Sequence, residues 1–238
     1  LSLQRIVPIH MAILLSCVLL LGLFSQPSMA SHDKVYEITI LHTNDFHARF
    51  RPISKYDNNC SQKNNAKGKC FGGTARLISA VEDARSRHSN TILLDGGDQF
   101  QGTLFYNLYK GKVAAEMMNK LGYDGMTVGN HEFDDGPDTL RAFMDAVNFP
   151  VLLANANVDL EPELKGKLHK STTLYRNNQK IGLIGVVTEE VVDISAPGDN
   201  IIFTDAVAAV QSEVDFLTEA GVNKIILLSH SSYEIEKM

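Results

Sequence analysis

The segment Tyr36–His42 (YEITILH) runs directly into TNDFH at residues 43–47, and this junction is the starting point for predicting the fold. The first part alternates apolar and polar side chains and is rich in β-branched and aromatic residues, which predicts a β-strand. Asp45 and His47 follow the strand two positions apart, so a turn there can aim both side chains at one point. The same succession of an apolar strand and a polar turn recurs further along the chain.

Five more short apolar runs predict strands that are buried on both faces. These runs are Thr91–Asp95, Met126–Val128, Val151–Ala154, Ile181–Val187 and Lys224–Ser229. Helical patterns lie between several of them. The predicted helices lie around 140–147 with Pro137 in the first turn, around 207–217 with Gly221 at the end, and over Gly73–Arg87 and Lys112–Leu121. Alternating strands and helices predict a layered α/β fold with β-sheets flanked by helices.

Polar residues follow three of the later strands as well. GGDQ (96–99) follows the second strand, GNHEFD (129–134) follows the third, and His230 follows the last. Because ligands bind at the carboxyl ends of strands in α/β sheets, we expect these groups to converge with Asp45 and His47. Their carboxylate, amide and imidazole donors suit Zn, Mn, Fe, Co or Mg better than a thiolate site would.

The donors suffice for two cations that share one carboxylate, the arrangement that clamps a phosphoryl group during in-line displacement. In this interpretation Asp45 and His47 reach one metal and Asp98 bridges. Asn130 and His230 complete the second metal site.

His131 directly follows a candidate ligand and can therefore face the substrate, with Asp134 orienting its ring. Each motif also has a structural interpretation. Gly-Asp after a strand is a common turn, Asn-His-Glu can cap a helix, and His230 can be an ordinary partly buried histidine. All of these would have to hold together at four successive strand ends, which favours a functional site.

The first thirty residues have the organisation of a secretory signal peptide. An uncharged apolar run at 12–24 follows Arg5, and small residues at Ser28 and Ala30 suit cleavage after Ala30. The run is shorter than the roughly 20 residues of a membrane-spanning helix, although an uncleaved anchor is the alternative. We therefore expect export to the periplasm in a bacterium, or to the extracellular space in a eukaryote. The mature chain, 31–238, contains no predicted transmembrane helix.

The composition excludes several classes of protein. With 44% hydrophobic and 21% charged residues and a net charge of −6, the chain is neither disordered nor a strongly basic nucleic-acid binder. Outside the predicted signal peptide, Cys60 and Cys70 form an even pair, which in an exported chain predicts a disulfide. Free thiols or half of a metal site are the alternatives. The polar stretch 57–69 predicts an irregular insertion.

Four blocks of this sequence resemble, in order, those of the 5′-nucleotidase/apyrase family of calcineurin-like metallophosphoesterases. The blocks are ILHTNDFHARF (40–50), LLDGGDQFQGT (93–103), TVGNHEFDDG (127–136) and ILLSHSSYE (226–234). The resemblance covers essentially all of 36–234. It implies a metallophosphoesterase fold with metal ligands at the C-terminal ends of its strands, and two divalent ions (Zn, Mn, Mg, Co or Ca).

The resemblance also implies roles for individual residues. The implied metal ligands are Asp45, His47, Asp98, Asn130 and His230, and the implied catalytic pair is His131 with Asp134. A hydroxide held by the two metals would attack the phosphorus of a nucleotide and release nucleoside and phosphate. In this family a further metal-binding histidine and a C-terminal substrate-binding domain follow. We therefore expect residues 31–238 to be an incomplete metallophosphoesterase domain, inactive by itself.

The leading functional prediction is a secreted or periplasmic 5′-nucleotidase with a nucleotide as its partner. An apyrase, a UDP-sugar hydrolase and a 2′,3′-cyclic-nucleotide phosphodiesterase are alternatives that use the same metal centre. More remote alternatives are an inactive binding module and a secreted structural protein. Nothing in the sequence indicates a nucleic-acid polymer as a partner or a particular oligomeric state.

Overall fold

The computed structural model describes residues 35–232, and a compact unit begins at Ile38. The predicted signal peptide at 1–30 lies outside the described residues, so that prediction is untested. Among residues 35–232, no helix combines the length and the apolar character that a bilayer span requires.

The first sheet has four parallel strands in the order in which they occur along the chain. They are β1 (Thr39–Thr43), β2 (Thr91–Asp95), β3 (Gly125–Thr127) and β4 (Val151–Leu152). Thr43 pairs with Asp95, so β1 and β2 end at the same level. Because all four strands point the same way, the residues that follow them meet at one edge of the sheet.

The second sheet has the order β6-β7-β9, with β6 at Ser171–Arg176, β7 at Gln179–Val187 and β9 at Ile225–His230. Strands β6 and β7 form an antiparallel hairpin, whereas β7 and β9 run parallel. Asn177 and Asn178 form the hairpin turn with φ of 46° and 61°, the left-handed backbone that asparagine tolerates in two-residue turns. A two-stranded ribbon pairs β5 (Ala156–Asn157) with β8 (Ile202–Phe203).

Seven helices are assigned within the described residues. They are α1 (Gln62–Ala66), α2 (Thr74–Arg87), α3 (Leu104–Tyr109), α4 (Lys112–Leu121), α5 (Pro137–Ala146), α6 (Val191–Ile194) and α7 (Ala206–Glu219). The larger core, which includes Leu93, Met126 and Phe143, joins the first sheet to α4 and α5. A smaller core places Leu217 of α7 against Ile184 of β7. The expected layered α/β fold is confirmed.

Several predictions about individual elements need correction. The first strand begins at Thr39 and not at Tyr36, and β7 begins two residues before the predicted Ile181. The prediction that Lys224–Ser229 is buried on both faces is wrong, because in the described chain β9 is an edge strand and Leu228 is its one buried residue. Helix α7 is present, although its first predicted core residue, Val207, is 68% exposed.

The polar insertion is more ordered than predicted. Helix α1 lies inside it, with the Ser61 hydroxyl accepting the backbone N–H of Asn64 as an N-cap. The predicted disulfide between Cys60 and Cys70 is present, with the two Cα atoms 5.8 Å apart. The bond joins the two ends of the insertion. It thereby offsets the lack of packing by α1, which buries none of its residues.

Four loops extend from the carboxyl ends of the strands and carry the candidate site. We name each after its strand: the β1 loop (44–48), the β2 loop (96–103), the β3 loop (128–136) and the β7 loop (188–195).

Candidate metal centre

The β1 and β2 loops are joined by backbone hydrogen bonds. The N–H of Asp45 donates to the carbonyl of Gly97 at 3.0 Å, and the N–H of His47 donates to the carbonyl of Asp98 at 3.1 Å. A Cβ atom at Gly97 would lie 2.6 Å from a backbone nitrogen of the β3 loop, so only glycine allows the loops to approach so closely. The candidate ligands are therefore fixed relative to one another by the backbone.

Four of the five predicted metal ligands, together with His131, form two clusters that share one carboxylate. One cluster contains His47, Asp98 and His131, and the other contains Asp45, Asp98 and His230. In each cluster one potential ligand atom per residue lies within 4.8 Å of the others. The sequence-based assignment paired Asp45 with His47, and these two are also close, with Asp45 Oδ1 3.5 Å from His47 Nε2.

Asp98 is the centre of both clusters and is only 3% exposed. Its Oδ1 accepts the backbone N–H of His131 at 2.9 Å, and its Oδ2 lies 3.2 Å from Nε2 of His230. Burial by itself would raise the pKa of this carboxyl, but the hydrogen bond and charge of His230 outweigh burial and lower it. Asp98 is thus held in the ionised form that binds a cation.

Two histidines are anchored through Nδ1 to backbone carbonyls. His230 Nδ1 lies 2.7 Å from the carbonyl of Gly96, and His47 Nδ1 lies 3.1 Å from that of Phe100. Burial lowers the pKa of His230, but the Asp98 carboxylate more than offsets this and raises it to about 9. Ligating histidines in metalloproteins are oriented by a hydrogen bond from the other ring nitrogen, and this arrangement leaves each Nε2 directed at the carboxylates.

The donor chemistry fits a pair of divalent cations. Asn130 lines a cavity of about 420 Å³ together with Asp45 and His230 of the second cluster. Carboxylate, imidazole and amide donors around one shared carboxylate are the set that two such ions require. The Asp45 side chain is 49% exposed at this cavity, and its Oδ2 accepts the Asn44 amide at 2.5 Å.

Three of the candidate ligands have an unusual backbone conformation. Asp45, His47 and Asp98 have φ of 52°, 49° and 60°, in the left-handed region that side chains other than glycine rarely adopt. Each such residue costs on the order of 1–3 kcal/mol and persists where the surroundings enforce it. Clustering of this strain at three candidate ligands is typical of a functional site.

His131 and Asp134 form the predicted pair. Nδ1 of His131 lies 2.7 Å from Oδ2 of Asp134, and the side chains are 30% and 16% exposed. His131 is the first residue of the 3-10 turn His131–Phe133, and Asp134 directly follows the turn. The distances place His131 beside His47 and Asp98 as well, so they are compatible with either a substrate-facing or a metal-binding imidazole.

Glu132 is a central residue whose role the sequence did not reveal. It is fully buried, and its carboxylate accepts four backbone N–H groups, those of Asp98, Gln99, Phe100 and Gly129, at 2.7–3.2 Å. Burial and the charge of Asp98 raise its pKa, while these donors oppose the rise. The carboxylate ties the β2 loop to the β3 loop. A glutamate between His131 and Phe133 was the only available signal.

A second fully buried carboxyl, that of Asp95, lies behind the centre. Asp95 Oδ2 accepts the Thr43 hydroxyl at 2.5 Å and the Gln99 amide at 2.8 Å, and its Oδ1 accepts the N–H of Gly97 at 3.0 Å. Burial raises the pKa of Asp95 to about 7, with a smaller contribution from the charge of Glu132. This carboxyl supports the β2 loop from within the core.

The β7 loop is a fifth strand end at the site. Thr188 and Glu190 line the same cavity as Asp45, and the N–H of Thr188 donates to the carbonyl of His230 at 2.8 Å. The signal was present in the sequence, because TEE (188–190) follows a predicted strand just as the other polar groups do.

Fold and site together define a layered α/β protein with a candidate dinuclear metal centre at its strand ends. The model of the calcineurin-like phosphoesterase family matches residues 38–234. The chain therefore belongs to the calcineurin-like phosphoesterase family, as the resemblance of its sequence blocks implied.

The individual relatives have more specific names than the family. The chain is 43% identical to a 5′-nucleotidase of Diplobatis ommata over 85% of its length, and 41% identical to an apyrase of Tabanus yao over 82%. A crystal structure of a 5′-nucleotidase precursor from Thermus thermophilus superposes with a TM-score of 0.75 and 35% identity, covering 84% of this chain and 38% of that one. The matches to the two curated relatives cover 35% and 34% of their sequences, so the chain spans about a third of their length.

Proposed function

We propose that the protein is a metal-dependent nucleotide phosphohydrolase of the 5′-nucleotidase type. One observation carries the proposal: two donor clusters share the buried Asp98 carboxylate, beside the His131–Asp134 pair, at one edge of a parallel sheet. The 5′-nucleotidase relatives and the Thermus structure support a nucleotide as the substrate class.

The residues divide the chemistry between them. Asp45, His47, Asp98, Asn130 and His230 would hold two divalent ions, which when bound supply a water of lowered pKa and positive charge at the phosphoryl oxygens. Asp98 keeps the two donor sets in register, and the carbonyl-anchored imidazoles keep their Nε2 atoms directed inward.

His131 and Asp134 act on the reacting phosphate ester. Asp134 holds Nδ1 of the ring, which leaves Nε2 of His131 to hydrogen-bond a phosphoryl oxygen or to deliver a proton to the departing ribose oxygen. A hydrogen bond from Nε2 to a phosphoryl oxygen would stabilise the negative charge that develops there in the transition state.

The test is phosphate release by protein expressed from its complete reading frame. AMP, ADP, ATP, UDP-glucose and 2′,3′-cyclic AMP are compared, with and without a chelator and with each divalent metal added back. We expect AMP to be the preferred substrate, and activity to vanish on chelation and return with metal. Asp98→Asn should abolish turnover, whereas Asp199→Asn, which changes an exposed carboxylate outside both donor clusters, should not. Turnover that persists without metal would overturn the proposal.

An apyrase is the second candidate, because the identity to the Tabanus yao apyrase nearly equals that to the 5′-nucleotidase. ATP and ADP turned over much faster than AMP would establish it in place of the first proposal. The metal centre proposed above would be the same.

We also propose that the protein is exported and that residues 1–30 are removed as a signal peptide. The Cys60–Cys70 disulfide supports this, because such bonds persist in oxidising compartments. Amino-terminal sequencing of the mature protein should begin at Ser31. A mature protein that retains residues 12–24 would contradict cleavage.

A further inference from the structure

The carboxylate of Asp134 has partners beyond His131. The hydroxyl of Ser195 donates to Asp134 Oδ1 at 2.8 Å, and the amide of Gln101 donates to Oδ2 at 2.9 Å. Nδ1 of His131 lies 2.7 Å from the same Oδ2 of Asp134. Both oxygens of this mostly buried carboxylate are therefore engaged, and the three partners come from three different loops of the site.

The position of Ser195 is fixed by the fold. It directly follows α6, and its N–H donates to the carbonyl of Val191 at 3.1 Å, which closes that short helix. Val191 is fully buried, and its own N–H donates to the carbonyl of Thr188 at 3.3 Å. The hydroxyl thus reaches Asp134 from 61 residues away on a segment anchored to the core and to the end of β7.

The two donors to Asp134 have different consequences. A carboxylate can rotate about Cβ–Cγ and present either oxygen to a neighbouring imidazole. Gln101 donates to the same oxygen as His131, which has a lone pair for each of them. Ser195 occupies the other oxygen and so holds Oδ2 toward the ring. An acid that orients a catalytic histidine contributes through the geometry and tautomer that it imposes on the ring.

We propose that Ser195 is a positioning residue for the His131–Asp134 pair, through its hydrogen bond to Asp134 Oδ1. This inference rests on the proposed function, because it assigns Ser195 a part in the same phosphate-ester hydrolysis. Ser195 need not touch the substrate, and it acts through Asp134.

The first test replaces Ser195 with alanine in protein expressed from its complete reading frame. Loss of one hydrogen bond to a charged group should lower kcat with AMP about tenfold. KM should change less than about twofold and metal content should stay the same, because the hydroxyl bonds to Asp134, which belongs to neither donor cluster. Ser195→Thr keeps the hydroxyl and should restore most of the rate. Ser79→Ala, which removes an exposed hydroxyl bonded to the Ala75 carbonyl of α2, is the matched control and should have no effect.

The leaving group provides a readout that a purely structural role would not move. If His131 assists the departing oxygen, the loss in Ser195→Ala should be smaller with 4-nitrophenyl phosphate, whose leaving group departs without a proton, than with AMP. An unchanged kcat would overturn the inference. So would a loss of metal, or an equal loss in Ser195→Thr or with both substrates.

A measurement independent of turnover separates this inference from the proposed function. In protein labelled with ¹⁵N-histidine, Ser195→Ala should shift the imidazole signals of His131, and Ser79→Ala should not. Absence of that shift refutes the role of Ser195 whatever the activity. A wild-type protein that hydrolyses no nucleotide would refute the proposed function, while the ring signals would still decide the role of Ser195.

Discussion

The Glu132 carboxylate accepts the backbone N–H of Asp98 at 2.8 Å, although the two residues lie 34 positions apart. Through this bond a residue of the β3 loop sets the position of the carboxylate that both donor clusters share. The same side chain accepts the N–H of Gly129, two residues before His131. Glu132 therefore keeps the shared ligand in register with the histidine that follows Asn130.

Replacement of Glu132 by glutamine tests this role at nearly constant volume. The new amide nitrogen would face backbone N–H donors in a fully buried site, so we expect the free energy of unfolding of the metal-free protein to fall by about 2–4 kcal/mol. Metal affinity, measured calorimetrically, should weaken about 10- to 100-fold, as for other groups that support ligands. The control is Glu82→Gln on the exposed side of α2. If Glu132→Gln also unfolds within about 0.5 kcal/mol of wild type, as the control should, then Glu132 does not hold the two loops together.

Replacement of His131 by alanine distinguishes the two positions that the distances allow. For a substrate-facing imidazole, turnover should fall by a factor on the order of 10²–10⁴ while metal content, measured by mass spectrometry, stays close to wild type. Loss of one metal ion would instead identify His131 as a ligand with His47 and Asp98. The exposed His88 offers a matched control, since His88→Ala should change neither quantity.

Asp95 makes stability depend on pH. Its pKa is raised to about 7 in the folded protein, from an ordinary value of 3.8. Between these values the folded state binds the proton more tightly than the unfolded chain, so this residue's contribution is fully present below about pH 4 and is lost as pH rises toward 7.

Urea unfolding of the metal-free protein from pH 4 to pH 8 measures that contribution. Asp95→Asn should remove a downward slope of up to about 1.4 kcal/mol per pH unit relative to wild type. Asp199→Asn, which changes an exposed carboxylate, should leave the slope as it is. Parallel curves for wild type and Asp95→Asn would show that Asp95 does not titrate in this range.

The disulfide should stabilise the protein by about 2–3 kcal/mol, because it restricts a loop of ten residue steps in the unfolded chain. The double variant Cys60→Ser with Cys70→Ser should lose this amount in equilibrium unfolding. Reduction of the wild type should give the same loss, and a reductant should not affect the double variant. Equal stability with and without the bond would mean that the disulfide contributes nothing to the free energy of unfolding.

The sequence predicted the elements best where polar residues, glycine or proline mark the ends of an apolar run. Thr91–Asp95 was predicted to the residue, and Pro137 marked the start of α5. Strand β6 was not predicted, because STTLYR buries no residue fully and so lacks the pattern of a core strand. The Asn177-Asn178 turn before β7 was the signal that could have revealed it.

The chemistry of the site was predictable because donor side chains follow strands, and parallel strands bring their ends together. Glu132 and Ser195, which support the candidate site residues, could not be predicted from the sequence. Glu132 lies between His131 and an apolar residue, and nothing local indicates that its partners are backbone N–H groups of another loop. Ser195 lies beyond β7, at the end of α6, and its contact with Asp134 depends on how the second sheet packs on the first.

His230 is oriented by the carbonyl of Gly96, 134 residues earlier in the chain. No local stretch of polypeptide can assemble the second cluster, and contacts between residues so far apart in sequence slow folding because a long loop must close first. In the proposed metal centre, the affinity for the second ion would therefore report whether β9 has docked beside β7, because His230 is the last residue of β9. An ion bound through His230 in the proposed centre would stabilise the complete fold relative to any state in which β9 is undocked.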